Sequence, residues 1–192
     1  SLLFSPRVAI LDGILFLLLQ IYGLFGGRIQ TLASNAFNIA AATKDADLLV
    51  GSVLIPGALT PKLVTEAMVK TMKPGSAIVD VAIDQGGCIE PTAKHGATYH
   101  DKPTFKYPVN GGEVVCYSVG NMPGAVARTS TFTLTNATMP YMVDLANKGW
   151  KKACQDDKAL ARGINTYDGK VYFKGVSDAL GYELHCTCDI LK

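Results

Sequence analysis

The 192 residues carry 18 basic and 16 acidic side chains, for a net charge of +2, and 48% are hydrophobic. That apolar share is enough for a core, and the near balance of charge, with no basic run, gives no electrostatic case for nucleic acid or an anionic membrane surface. Five scattered cysteines do not make a secreted disulfide framework and favour a reducing compartment.

Residues 8–25, VAILDGILFLLLQIYGLF, are long enough to raise a membrane span or a signal sequence. Asp12, Gly13 and Gln20 interrupt the run, and FGGR is a poor cleavage site. The segment divides better into a strand over 8–11 and an apolar helix over 13–22. A second strand is predicted over 28–32 and a helix over 37–43, with Ser34-Asn35 able to cap it. A third strand follows over 47–54. Thr60 can cap the next helix, 61–72, with Pro61 at its first position and Lys73-Pro74-Gly75 as its stop. Within that helix Leu63, Val64, Ala67, Met68 and Met72 recur at helical spacing. The run SAIVDVAI, 76–83, is the fourth strand. These runs are apolar without alternation, as in strands covered on both faces, and their spacing predicts a parallel sheet with crossover helices.

Residues 103–119 read as a hairpin around Asn110-Gly111-Gly112. After Pro123-Gly124 comes a long helix, expected to break or kink near Pro140. A short helix over 157–162, a turn at Asp168-Gly169 and the run KVYF complete the chain. Cys186-Thr-Cys188 lacks a second pair at zinc spacing, so no metal is expected there.

In an open parallel sheet, ligands bind beyond the carboxyl ends of the strands. Asp12, Val53-Leu54, Asp84 and Gly120-Asn121 all stand at such ends. A carboxylate in the place of Asp12 can accept hydrogen bonds from a ribose diol, but the Gly-rich turn that normally precedes it is absent here. Each residue also has a plainer reading. Asp84 and Asn121 suit turns or caps, and the residues alone support no more than an α/β fold with a nucleotide-like rim.

The stretches DADLLVGSVLIPGALTPKLVTEAMVKTMKPGSAIVDVAIDQGGCIE, NMPGAVARTSTFTLTNATMPY and LANKGW, in that order, closely resemble the NAD-dependent alanine dehydrogenase family, from about Val8 to about Thr166. Pyridine-nucleotide transhydrogenase is a relative. The resemblance implies a Rossmann-like α/β parallel sheet lacking its first strand and Gly-rich loop, followed by a C-terminal helical segment. Residues 1–128 would be a partial NAD-binding domain and 129–192 a segment packing on a substrate domain. The family chain is nearly twice as long, so this sequence resembles its second half, and the start at SLLFSP, without a methionine, suggests a partial sequence.

By the same resemblance the cofactor is NAD. Asp12 would hold the ribose, Ser34 would lie near the adenine, and the backbone of Val53 and Leu54 would line the cofactor. Ile83 and Asp84 match the family's IDQGG positions, and Asp84 is assigned to the catalytic centre as well as to cofactor binding. Val119, Asn121 and Met122 match the stretch facing the nicotinamide. The implied reaction is the reversible oxidation of L-alanine to pyruvate and ammonia, in a cytoplasmic homo-oligomer that is hexameric in the family, with no nucleic-acid or membrane partner. His95, His100 and His185 match no catalytic histidine, and the family's substrate-binding arginine and lysine have no counterpart. Two departures stand out: the uncharged helix after Asp12, and the reworked stretch PTAKHGATYHDKPTFK. A non-catalytic remnant of the fold, or a transhydrogenase-related nucleotide domain, is the alternative.

Overall fold

The structure, a computed structural model, describes residues 8–53, 55 and 59–192. These fall into two compact units, residues 8–53 with 60–120, and residues 55 and 59 with 121–192. In chain order the first unit has β1 (Ala9–Asp12), α1 (Leu15–Leu24), β2 (Gln30–Ala33), α2 (Ala36–Asp45), β3 (Leu48–Gly51), α3 (Glu66–Val69) and β4 (Ala77–Asp80). It continues with α4 (Glu90–His95), β5 (Thr104–Val109) and β6 (Gly112–Tyr117). The second unit has α5 (Ala127–Asp156), α6 (Lys158–Arg162), β7 (Thr166–Tyr167), β8 (Lys170–Val171) and α7 (Lys174–Leu180).

The strands of the first unit form two sets. β1 and β2 pair in parallel, Asp12 opposite Ala33. The other sheet has the order β3-β4-β6-β5. Its first three strands are parallel, and β5 returns antiparallel on β6 as the predicted hairpin, closed at Val109 opposite Gly112. Gly111 takes the left-handed conformation the tight turn requires, at φ +87°. Among the described residues, no strand pairs with the outer edge of β3, and β1 pairs only with β2. Both sets rest on one core of Val69, Met72, Ile78, Ile89, Val114 and Cys116, against which Leu11 of β1 and Leu49 of β3 also pack. The mixture of parallel strands and helices is the α/β class the sequence predicted.

Local rules held where neighbours in sequence decide the structure. Asn35 caps α2, its side chain accepting the Asn38 N–H at 2.9 Å. Asp157 caps α6 by accepting the Ala159 N–H at 2.7 Å. Asp168 and Gly169, both with positive φ, turn β7 into β8.

Four expectations need correction. The helix foreseen over 61–72 shrinks to α3, and its cap is Thr65, which accepts the Met68 N–H at 3.3 Å. Leu63 and Val64 instead donate their N–H groups to the Cys88 carbonyl, so this stretch runs beside residues 88–90 as extended chain. The strand foreseen over 76–83 ends at Asp80, and residues 81–85 form a 3-10 turn. The long helix passes through Pro140 and breaks at Gly149, whose φ of 73° and ψ of 158° are not helical. The carbonyl of Asn136, deprived of a donor by Pro140, lies on an exposed stretch where water can serve it. Finally, Cys186 and Cys188 are joined by a disulfide, while Cys88, Cys116 and Cys154 are free and buried. No described helix is long and apolar enough to cross a membrane.

Ile78 sits in the middle of β4 with no exposed surface. Ile78→Ala should cost about 2–5 kcal/mol of unfolding free energy, since the flanking strands cannot collapse into the void. Urea denaturation of the chain should show a lower midpoint with an unchanged slope.

Candidate functional site

The carboxyl end of β4 is where the chain concentrates its polar chemistry. Asp80, the last residue of the strand, is fully buried. A charge in that position must be paired. Its Oδ2 accepts the N–H groups of Cys88 at 3.1 Å and Ile89 at 3.2 Å, and the Thr92 hydroxyl at 2.6 Å. The chain therefore leaves β4, makes the turn Val81–Gln85, and is drawn back to the end of its own strand. Gly86 and Gly87 perform the reversal, with φ of 91° and 73°. A Cβ on Gly87 would stand 2.8 Å from Asp80 Oδ2, so a side chain is excluded there by both conformation and space.

The opposite side of the turn is held by residues 60–66. The Thr60 hydroxyl donates to the carbonyls of Gln85 at 3.1 Å and Gly87 at 2.8 Å. The Lys62 ammonium donates to those of Gly86 and Gly87, each at 2.6 Å. Glu90 accepts the Glu66 N–H at 2.7 Å. The Lys94 ammonium lies 2.9 Å from Glu66, and that hydrogen bond holds the Glu66 carboxyl below its usual range. Burial, and next the adjacent Asp80 charge, push the Cys88 thiol up to about 12. Cys88 is thus a neutral packing group at physiological pH and no nucleophile.

Within this frame Ile83 is buried and Asp84 is exposed. Asp84 makes no side-chain hydrogen bond to a described residue, so it does not serve as the local cap that its position also suited. The register of the sheet sets Gly51 opposite Asp80 and Val79 opposite Tyr117. Val53, the turn with Ile83 and Asp84, and buried Val119 therefore follow the carboxyl ends of three adjacent parallel strands. At the other sheet, Asp12 ends β1 and Ser34 follows β2, with the Ser34 N–H donating to the Asp12 carbonyl at 2.9 Å. The Asp12 carboxylate accepts the Ile14 N–H at 2.7 Å through one oxygen and keeps the other free of described partners. Leu54 lies outside the described residues. Asn121 and Met122 open the second unit, where Asn121 caps a 3-10 turn by accepting the Gly124 N–H at 3.3 Å.

Sequence reasoning passed over Asp80, Lys62 and Thr92, and it gave Thr60 the wrong task. One signal was available for Asp80. It is a carboxylate inside an apolar run, between Val79 and Val81, where only a paired charge can be buried.

The family model described as "Alanine dehydrogenase/PNT, C-terminal domain" matches residues 4–174. The chain belongs to this family. It is 96% identical over 188 residues to an alanine dehydrogenase of Bilophila wadsworthia (strain 3_1_6), covering 98% of this chain and 50% of that protein. It is 57% identical over 164 residues to the alanine dehydrogenase of Bacillus subtilis (strain 168), covering 85% and 42%. The chain thus spans about half the length of the curated relatives it matches. A solved L-alanine dehydrogenase superposes with a TM-score of 0.77 at 44% identity, over 92% of this chain and 47% of that one. The transhydrogenase from Sinorhizobium meliloti gives a TM-score of 0.51 at 29% identity, over 65% and 33%. The alanine dehydrogenase likeness is the longer and the stronger of the two.

Asp80→Ala would leave two buried N–H groups and a buried hydroxyl without their acceptor. It should destabilise the chain by about 3 kcal/mol or more. Lys62→Ala removes an exposed donor and should cost about 1 kcal/mol or less. Urea midpoints of the two variants should rank in that order, and the reverse order would show that the lysine, not the aspartate, holds the turn.

Proposed function

We propose that this chain is the cofactor-binding half of an alanine dehydrogenase, acting in the reversible oxidative deamination of L-alanine to pyruvate and ammonia. The observation that carries the reading is the turn Ile83-Asp84-Gln85-Gly86-Gly87. It sits at the carboxyl end of a central parallel strand, with a carboxylate that has no partner among the described residues, in a chain 96% identical to half of an enzyme named for that reaction.

The residues fit NAD in part. The free oxygen of Asp12 suits a ribose hydroxyl, with Ser34 beside it near the adenine. Val53, Leu54, Ile83 and Val119, with Asn121 and Met122, would line the remaining length. The Gly-rich turn that receives a pyrophosphate in this fold belongs to the strand before β1, and no such turn stands among the described residues. NAD, when bound, supplies the hydride acceptor. Asp84 would balance the positive charge of the imine formed from alanine and accept a hydrogen bond from the attacking water, holding it toward the imine carbon. Its exposure and lack of a described partner leave both oxygens free for this task. Residues 1–128 would then form the nucleotide domain and 129–192 the segment that docks on the substrate domain, in a cytoplasmic homo-oligomer, hexameric as in the family. Apolar side chains left exposed on α1 and α5, such as Phe16, Leu19, Phe132 and Met142, support burial in such an assembly.

Three outcomes are expected. The isolated chain should produce no NADH from L-alanine and NAD above a blank, and calorimetry should find NAD binding weaker than micromolar. In a full-length relative, Asp84→Asn should lower kcat far more than it lowers NAD affinity. Equal loss of both would make Asp84 a pocket residue rather than a catalytic one.

A further inference from the structure

Cys186 and Cys188 take no part in the chemistry above. They are bonded to each other with only Thr187 between them, and both are exposed. A disulfide stabilises chiefly by closing a loop in the unfolded chain, and the effect grows with loop length, so a bond across one residue is among the weakest of staples. The segment is held by other means on both sides. Before the pair, the His185 N–H donates to the Val171 carbonyl at 2.8 Å, beside the bridge of Leu184 to Val171. After it, the Gln155 amide donates to the Leu191 carbonyl at 2.8 Å. Opening and closing the bond therefore leaves the anchors of the C-terminal segment in place. No group of three metal-ligating side chains gathers there among the described residues.

The other three cysteines contrast with this pair. Cys88, Cys116 and Cys154 are buried, and burial pushes their thiols up, to about 12 for Cys88 and about 11 for Cys116. Thiol chemistry is thereby confined to one place.

We propose that Cys186 and Cys188 form a reversible dithiol/disulfide site that exchanges with low-molecular-weight disulfides and thiols. The two sulfurs have different roles. Cys186 Sγ accepts the Cys188 N–H at 3.3 Å, which favours negative charge on Cys186. Asp189 Oδ1 lies 3.7 Å from Cys188 Sγ, where a carboxylate favours the protonated thiol. Starting from the dithiol, the Cys186 thiolate attacks a small disulfide RSSR. A Cys186–SR bond forms, the S–S bond of RSSR breaks, and RS⁻ leaves. The Cys188 thiol then loses its proton and attacks Cys186 Sγ, forming the protein disulfide and expelling the second RS⁻. The protein gives up two electrons and two protons, and RSSR becomes two RSH. Reduction by excess thiol is the same path in reverse.

The test uses the 192-residue chain in glutathione buffers of rising disulfide fraction, quenched with acid and read by intact mass after native alkylation. The reduced chain should take two labels. Both should disappear together as the disulfide fraction rises, with the loss of two hydrogens and no stable adduct, and dithiothreitol should restore both without denaturant. Cys188→Ser should stop at one bound glutathionyl group. Cys186→Ser should react roughly tenfold more slowly, because its remaining thiol lacks the N–H donor. The proposal fails if the pair stays dithiol in glutathione disulfide alone, if the labels vanish one at a time, if wild type accumulates a glutathionyl adduct, or if reduction needs unfolding.

Discussion

Everything at the candidate site depends on one buried carboxylate. Asp80 has no access to water, and its negative charge is tolerable only because two backbone N–H groups and a hydroxyl converge on it. Those donors belong to residues 88–92, so satisfying the charge fixes where the chain must return after leaving β4. The intervening turn has no freedom to wander. From the other side Thr60 and Lys62 take up its carbonyls, leaving few backbone groups of residues 85–89 unaccounted for. Asp84 is the exception in this frame: it is exposed, and no described residue spends its charge.

That division of labour between two aspartates four positions apart explains a feature that burial alone does not. An apolar strand ending in one acid would suffice to put a charge at the rim. A second, buried acid makes the rim rigid. The cost is a desolvated carboxylate and a thiol, Cys88, held neutral beside it. The return is a turn held on one side by the Asp80 carboxylate and on the other by Thr60 and Lys62.

How much of this was readable in the sequence varied with the range of the interactions involved. β1, α1, β2, α2 and the hairpin came out of apolar runs and turn residues because their partners are neighbours. The Asn35 cap was legible for the same reason. Thr60-Pro61 carried the local signature of a helix start, yet the stretch after it pairs with Cys88, some two dozen residues on, and that contact overrides propensity. Pro140 likewise announced a break that solvent exposure made unnecessary, while Gly149, unremarkable by its neighbours, supplies the real one. Asp84 stood out because an apolar run stops at it. Asp80 did not, since a strand pattern hides one polar residue easily and only the fold shows what it touches. Asp12, Val53, Leu54 and Asn121 were placed on the rim by their positions at strand ends, while Ser34, Ile83, Val119 and Met122 were assigned through the resemblance.

The split of the parallel strands into two sets has a consequence for how such a chain behaves in solution. Among the described residues β3 pairs on one side only, and so does β1, so within them each presents backbone donors and acceptors along an open edge. Leu48 and Val50 of β3 also leave more than half of their surface exposed, at 58% and 54%. An edge that is unpaired, apolar and free of charge on its strand is a template for any passing extended segment. Whatever strand fills that edge therefore acts as a solubility device as much as a piece of architecture. Handling a chain with such an edge is a problem of colloid chemistry before it is one of enzymology.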